Sequence, residues 1–240
     1  MSIPRGSGAA ARPYRRGEPR LSVGQLADLP IWILRTTTGR PLNSVLIAGP
    51  DGLMLINTGT SHRHGTAISK QIASLTSEPV TTIIYPHHPT TSCQGTTAIT
   101  DQDNARCGNV VIVAAGRRDS CYHPGVAPNL LIDRECILDL SGVTVRMLPI
   151  SAGMIGGTNL YLPRHRVAVI ADEPAMWSHG MGPRFQRARS TPFARAVGWF
   201  QRFPVEHLLG SHMIPLSGLD VHLVLRTCHN RRTADRHHPR

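Results

Sequence analysis

Apolar residues in this chain gather into short runs set apart by turn-forming ones. Ile31-Trp32-Ile33-Leu34, Ser44-Val45-Leu46-Ile47-Ala48 and Leu53-Met54-Leu55-Ile56 have strand length, and Gly49-Pro50-Asp51-Gly52 between the last two predicts a hairpin turn. From His64 to Leu75 the period changes: Ala67, Ile68, Ile72 and Leu75 recur at helical spacing, and Glu78-Pro79 ends the element. Thr81-Thr82-Ile83-Ile84-Tyr85 then reads as a strand. Further strands are predicted at Val110–Val113, Cys136–Leu140, Val143–Leu148, Asn159–Leu162 and Val167–Ile170, with Leu140-Ser141-Gly142-Val143 as a tight turn between two of them. A helix from about Pro192 to Phe203 carries Phe193, Val197 and Phe200 on one side. Val205 to Leu209 reads as strand, and a last helix is predicted over about Leu219 to Cys228.

The strands form two groups, each followed by a helix, which suits two mixed sheets packed face to face with helices outside. Residues 1–25 are rich in Arg, Pro, Gly and Ala without an apolar period and read as a flexible leader, so folding is expected to start near Leu29. Residues 26–230 are expected to form one α/β domain, with residues 231–240 as a basic tail. A chain of 240 residues suits a single domain. No run of eighteen apolar residues is present, so neither a membrane span nor a membrane partner is expected. The opening Met1-Ser2-Ile3-Pro4-Arg5 lacks the apolar stretch of an export signal, which makes the cytoplasm the expected location. Five cysteines at no CxxC spacing fit reduced packing residues.

Charge adds a question about partners. Twenty-six basic residues against fifteen acidic ones leave +11, and Lys70 is the one lysine, so arginine supplies the excess. Clustered arginine suits a polyanion. Much of the excess, however, lies in Arg5, Arg12, Arg15, Arg16 and Arg20 and in Arg231, Arg232, Arg236 and Arg240, on terminal segments that read as unstructured. Compositional bias is therefore the favoured reading, and nucleic acid is not the expected partner.

The chemistry concentrates in Gly52-Leu53-Met54-Leu55-Ile56-Asn57-Thr58-Gly59-Thr60 and in Ile83-Ile84-Tyr85-Pro86-His87-His88-Pro89-Thr90-Thr91-Ser92-Cys93-Gln94-Gly95. Here the chain resembles the metallo-β-lactamase superfamily, in which a hairpin ends in Asp-Thr-Gly and a later strand delivers a His-x-His-x-Asp-His loop. Gly157-Thr158-Asn159-Leu160-Tyr161-Leu162-Pro163, Val169-Ile170-Ala171-Asp172-Glu173 and Gly210-Ser211-His212-Met213-Ile214-Pro215 look like successive landmarks of its alkyl sulfatase branch. The resemblance implies an αββα sandwich and a two-zinc hydrolase centre in which metal-bound hydroxide is the nucleophile.

The resemblance also implies that this centre is broken. His87 takes the first histidine position, but Pro89, Thr91 and Ser92 take the next three ligand positions, and none is a zinc ligand of useful strength. Asn57 replaces the Asp of the turn, and Gly153 falls where an acidic ligand is expected. Asp172 keeps a carboxylate, His212 matches the last histidine, His179 matches a branch histidine, and Arg189 stands where the branch carries an arginine suited to gripping sulfate. The metal set is then His87, Asp172 and His212, enough for one weakly held zinc ion or for none. His62, His64, His88 or Cys93 could substitute as ligands, although a solvated loop or turn position is the simpler reading for the histidines. The short stretch from Gly95 to Asn159 and the end soon after His212 leave a minimal core without the branch's extra segments.

Three functions follow from this reading. The favoured one is a catalytically impaired or inactive relative of the alkyl sulfatases with a retained anion pocket around Arg189. The second is an active hydrolase of small anionic esters, in which His87, Asp172 and His212 hold one ion and Arg189 binds the departing oxyanion. The third is a basic binding module for nucleic acid or an acidic partner.

Overall fold

Strand β2, Ile31–Thr36, is apolar at successive positions rather than alternate ones because both of its faces are covered. Ile31 and Ile33 point into the core between two sheets, and Trp32 and Leu34 point outward beneath a helix. The same holds for β4, Gly52–Ile56, with Met54 and Ile56 inward and Leu53 and Leu55 outward. The structure is a computed structural model and describes residues 19–38, 41–87, 93–116, 125–152, 155–171 and 191–226. Seven strands form the first sheet in chain order: β1 (Leu21–Gln25), β2, β3 (Asn43–Gly49), β4, β5 (Val80–Tyr85), β6 (Val111–Ala115) and β7 (Leu130–Ile132). Pairing is antiparallel from β1 to β4 and parallel from β4 to β7. The second sheet contains β8 (Cys136–Leu140), β9 (Val143–Ala152), β10 (Ile155–Leu162), β11 (Val167–Ile170), β12 (His207–Gly210) and β13 (Leu216–Ser217), with one parallel pair, β11 and β12.

The sheets meet through Val45, Ile47, Ile84 and Val113 on one side and Val145, Met147, Leu160 and Leu209 on the other, all buried. Each such side chain contributes about 1.5–3 kcal/mol when removed from water. Helix α1 (His62–Leu75) lays Ile68 and Ile72 on the outer face of the first sheet. Its start is set by Ser61, whose hydroxyl accepts from the His64 amide at 3.2 Å. A short α2 (Gln102–Arg106) follows η-type residues 96–98. On the far side, α3 (Thr191–Phe200) and helical residues 219–226 cover Tyr161, Ala168, Ile170 and Leu208 with Val197, Phe200, Val221 and Leu225. The layers are helix, sheet, sheet, helix, as the pattern predicts.

Several expectations are corrected. Ordered structure begins before Leu29: β1 adds itself to the edge of β2, with Leu21 and Val23 half-buried toward α1 and Ser22 and Gly24 exposed. Two apolar residues within an Arg- and Pro-rich stretch are too weak a local signal for a strand. Strand β7, Leu130-Leu131-Ile132, is apolar throughout but too short to show a strand period. Helix α3 stops at Phe200, and the amides of Arg202 and Phe203 bond the carbonyls of Trp199 and Phe200 in tight turns. That places the Phe203 ring flat against Tyr161, with centroids 4.5 Å apart. Val205 accordingly lies outside strand β12, which starts at His207. Cys228, the expected end of the last helix, is outside the described residues.

A buried side chain with several partners helps to join the two sheets at one end. Asn43 opens β3, and its Nδ2 donates to the carbonyl of Gly210, the last residue of β12, at 2.7 Å and to that of Met213, just beyond it, at 2.8 Å. Its Oδ1 accepts from Arg35 Nη1 at 2.8 Å, its backbone N–H donates to Ser211 O at 2.6 Å, and its carbonyl accepts from Asn57 Nδ2 at 2.8 Å. Nearby, Gly95 presses against the start of α1: a methyl there would strike the Thr58 carbonyl oxygen and lie 2.9 Å from Gly65 Cα.

Asn43→Ala removes the side-chain donor to the buried Gly210 carbonyl and one of two bonds at both the Met213 carbonyl and the Arg35 Nη1, which keep their mutual contact at 3.0 Å. It is expected to lower unfolding free energy by about 1–3 kcal/mol in urea melts. A loss under about 0.5 kcal/mol would contradict this role. Gly95→Ala is expected to cost about 1–3 kcal/mol by forcing backbones apart, read as a lower thermal midpoint.

Candidate functional site

The carboxyl ends of β4, β5, β11 and β12 converge at the mouth of the sandwich. The Asn57 amide donates to Ile84 O at 3.0 Å, the Thr158 amide to Pro86 O at 3.0 Å, and Ile170 pairs with Gly210. Residues following these strand ends therefore face one another, which is where an open α/β sheet presents its chemistry.

Asn57 sits at φ 71°, a left-handed conformation that Asn tolerates better than most residues. It is buried, and both ends of its carboxamide are used: Nδ2 donates to Asn43 O at 2.8 Å and Oδ1 accepts from the Gly59 amide at 3.0 Å. An aspartate here would turn an oxygen toward the Asn43 carbonyl and lose the donor. Asn57 is thus a structural tie rather than a ligand.

His87 follows β5, and its Nε2 lies 2.8 Å from Ser211 Oγ. Burial, and secondarily the neighbouring His212, pushes the imidazole down to about 4, so the ring is neutral near pH 7. His212 is half-buried beyond β12, and its Nδ1 donates to the Pro41 carbonyl at 2.7 Å. In the neutral ring this makes Nε2 the lone-pair nitrogen. A backbone carbonyl behind Nδ1 is also the device that orients metal-binding histidines.

Other expected candidates are not brought to this mouth as ligands. His64 is 4% exposed, a correction to the solvated reading. It occupies the first turn of α1, with Nε2 2.9 Å from Thr36 Oγ1, and burial lowers its pKa. Gly59 packs so close that a Cβ would lie 2.6 Å from His64 Cγ. His62 is exposed and bonds Thr97 Oγ1 at 2.9 Å. Cys93 is buried among Tyr85, Ala105, Val110 and Ile112, which pushes its thiol up to about 12; it is a packing residue, not a ligand.

The structure therefore joins two of the expected site residues, His87 and His212. Asp172, His179 and Arg189 lie outside the described residues, as do His88, Pro89, Thr91, Ser92 and Gly153. Among the described residues, no three His, Cys, Asp or Glu side chains gather to hold an ion. Two imidazoles, one engaged by a hydroxyl, do not fit the six or so donors of a two-zinc centre. Ser211 and Asn43 are the contributors that the sequence reading missed. The position of Ser211 directly before His212 was the available signal, but its partner is set by tertiary contact. Among the described residues, no helix is long and apolar enough to cross a membrane.

No protein-family model matches the chain, and no curated protein sequence matches it. Solved structures do. The stereoselective inverting sec-alkylsulfatase Pisa1 from Pseudomonas sp. superposes with a TM-score of 0.62 at 15% identity, over 83% of this chain and 40% of that one. A metallo-beta-lactamase from Pontibacter korlensis gives 0.63 at 14% identity, over 88% of this chain and 100% of that one. The metallo-beta-lactamase FIM-1 from Pseudomonas aeruginosa, in its mono-zinc form, gives 0.63 at 14% identity, over 90% and 97%. The chain spans about two fifths of the length of the alkyl sulfatase it matches. Identities this low speak to architecture alone, and on that evidence the chain has the metallo-β-lactamase fold.

Proposed function

We propose that this chain is a catalytically impaired or inactive relative of the alkyl sulfatases, one that keeps the scaffold without the two-zinc centre. The observation that carries this reading is the use of the motif side chains as internal ties. Asn57 spends its carboxamide on Asn43 and Gly59, and the His87 Nε2 is engaged by Ser211. In the superfamily the chain resembles, His87 would hold a metal ligand and Asn57 would be the aspartate of the turn beside it. Pro89, Thr91 and Ser92 remove three more ligands from the same motif. Among the described residues, the mouth holds one neutral imidazole and one oriented imidazole, suited to hydrogen bonding. With Arg189, the pocket would take a small anionic group such as a sulfate ester by charge and hydrogen bonds.

One observation favours a second reading, an active hydrolase with a single ion. The Nδ1 of His212 is held by the Pro41 carbonyl as a ligand histidine would be, and Asp172 could complete a reduced set with His87.

Elemental analysis of full-length protein without a His tag, paired with hydrolysis assays on secondary alkyl sulfates, separates these readings. The expected result is well under one zinc per chain and no turnover that a chelator abolishes. Two zinc ions per chain with chelator-sensitive turnover would overturn the proposal, and one stoichiometric ion with such turnover would establish the second reading.

The pH dependence of stability provides a further check. The folded His87 titrates at about 4 and an unfolded histidine near 6.5. Between these values the unfolded chain binds a proton that the folded chain does not, so stability is complete above about pH 6.5 and falls as pH drops toward 4. His64 acts in the same direction. Urea midpoints are expected to decline from pH 7.5 to 4.5, and less so in His87→Gln. A midpoint that rises on acidification contradicts the assignment.

A further inference from the structure

We infer that Ser211 sets the cation affinity of this site: its hydroxyl occupies the His87 Nε2 and keeps the His87–His212 pair a weak zinc site. This rests on the proposed loss of the two-zinc centre and adds a cause beyond the missing ligands.

Three features make Ser211 an effective competitor. Its Oγ is 2.8 Å from His87 Nε2, an ordinary length for a hydroxyl–imidazole bond. Ser211 is only 5% exposed, so a displaced hydroxyl has little water to turn to and the bond is costly to give up. The loop carrying it is also pinned, because Ser211 O accepts from the Asn43 amide while Asn43 Nδ2 holds the carbonyls of Gly210 and Met213 on either side. The backbone that carries the hydroxyl is therefore held where Oγ reaches His87.

Zinc binds an imidazole through a nitrogen lone pair. Binding at His87 Nε2 must break the Ser211 bond and strand a buried hydroxyl, and that penalty is subtracted from the affinity. The next residue, His212, does not face this conflict at Nδ1, because its carbonyl partner and a metal at Nε2 would engage opposite sides of the ring. At His87 the hydroxyl and a metal compete for the same nitrogen. Removing the Ser211 hydroxyl lifts the penalty without adding a ligand.

The test is zinc titration of the full-length chain without a His tag, in competition with a chromophoric chelator, for wild type, Ser211→Ala, Ser211→Gly and Ser211→Thr. Ser211→Ala and Ser211→Gly are each expected to bind the first Zn²⁺ about tenfold more tightly than wild type. Ser211→Thr, which retains a hydroxyl, is expected to stay within about twofold. Adding His87→Gln to Ser211→Ala should erase the gain. Equal or weaker binding by both Ser211→Ala and Ser211→Gly, with native circular dichroism, overturns the role of Ser211 and leaves the proposed function standing. Tight uptake of two zinc ions by the wild-type chain overturns the proposed function itself. Should Ser211→Ala fail to fold, Ser211→Gly decides the matter by the same criterion.

Discussion

The geometry of the mouth depends on Asn43. Its two amide hydrogens, carboxamide oxygen, backbone amide and carbonyl all find partners, and these lie on β2, on the turn after β4 and on the loop after β12. Apolar packing holds the two sheets together over most of their area, but such contact is non-directional and tolerates sliding. Hydrogen bonds in a buried, low-dielectric setting do not tolerate it, because an unmet carbonyl or amide there is expensive. Asn43 therefore fixes the distance and register between the Asn57 turn and the Ser211–His212 loop, and the site has one shape as a result.

Within that shape, groups suited to catalysis have become part of the framework. Asn57 closes its own turn and ties to β3, a task that needs an amide donor and a left-handed backbone, both of which Asn supplies. His64 is a buried strut between Thr36 and the packed Gly59. His87 is kept neutral by burial and bonded to a serine. Each arrangement satisfies buried polar atoms internally, which stabilises the fold and leaves fewer lone pairs for an external ion.

His212 differs, since its orientation by the Pro41 carbonyl matches what a metal ligand requires. The mouth thus combines one histidine oriented by a backbone carbonyl with one bonded to a serine. Similarity to an alkyl sulfatase and to metallo-beta-lactamases at 14–15% identity shows that the layered packing persists while most of the sequence differs. The packing depends on apolar periodicity, whereas the chemistry depends on a handful of individual positions.

The sequence by itself determined the layers. Apolar runs with both faces covered in the central strands, the helical period from Ala67 to Leu75 and the turn at Ser141-Gly142 are local signals. Each element was recoverable to within a few residues, apart from the short β7 and β13, the α2 turn and the weakly apolar edge strand β1. The identities of Pro89, Thr91 and Ser92, on which the proposed loss of ligands rests, are likewise read from the sequence alone. What the remaining polar groups do was decided by tertiary structure alone. His87 meets Ser211 across 124 positions and Asn43 meets Gly210 across 167. No local pattern encodes such partners, because hydrogen-bond geometry at the mouth is set only when the two sheets close on each other. For the same reason a histidine read as solvated, His64, proved to be buried: its surroundings come from β2 and from the Gly59 turn, not from its neighbours in the chain.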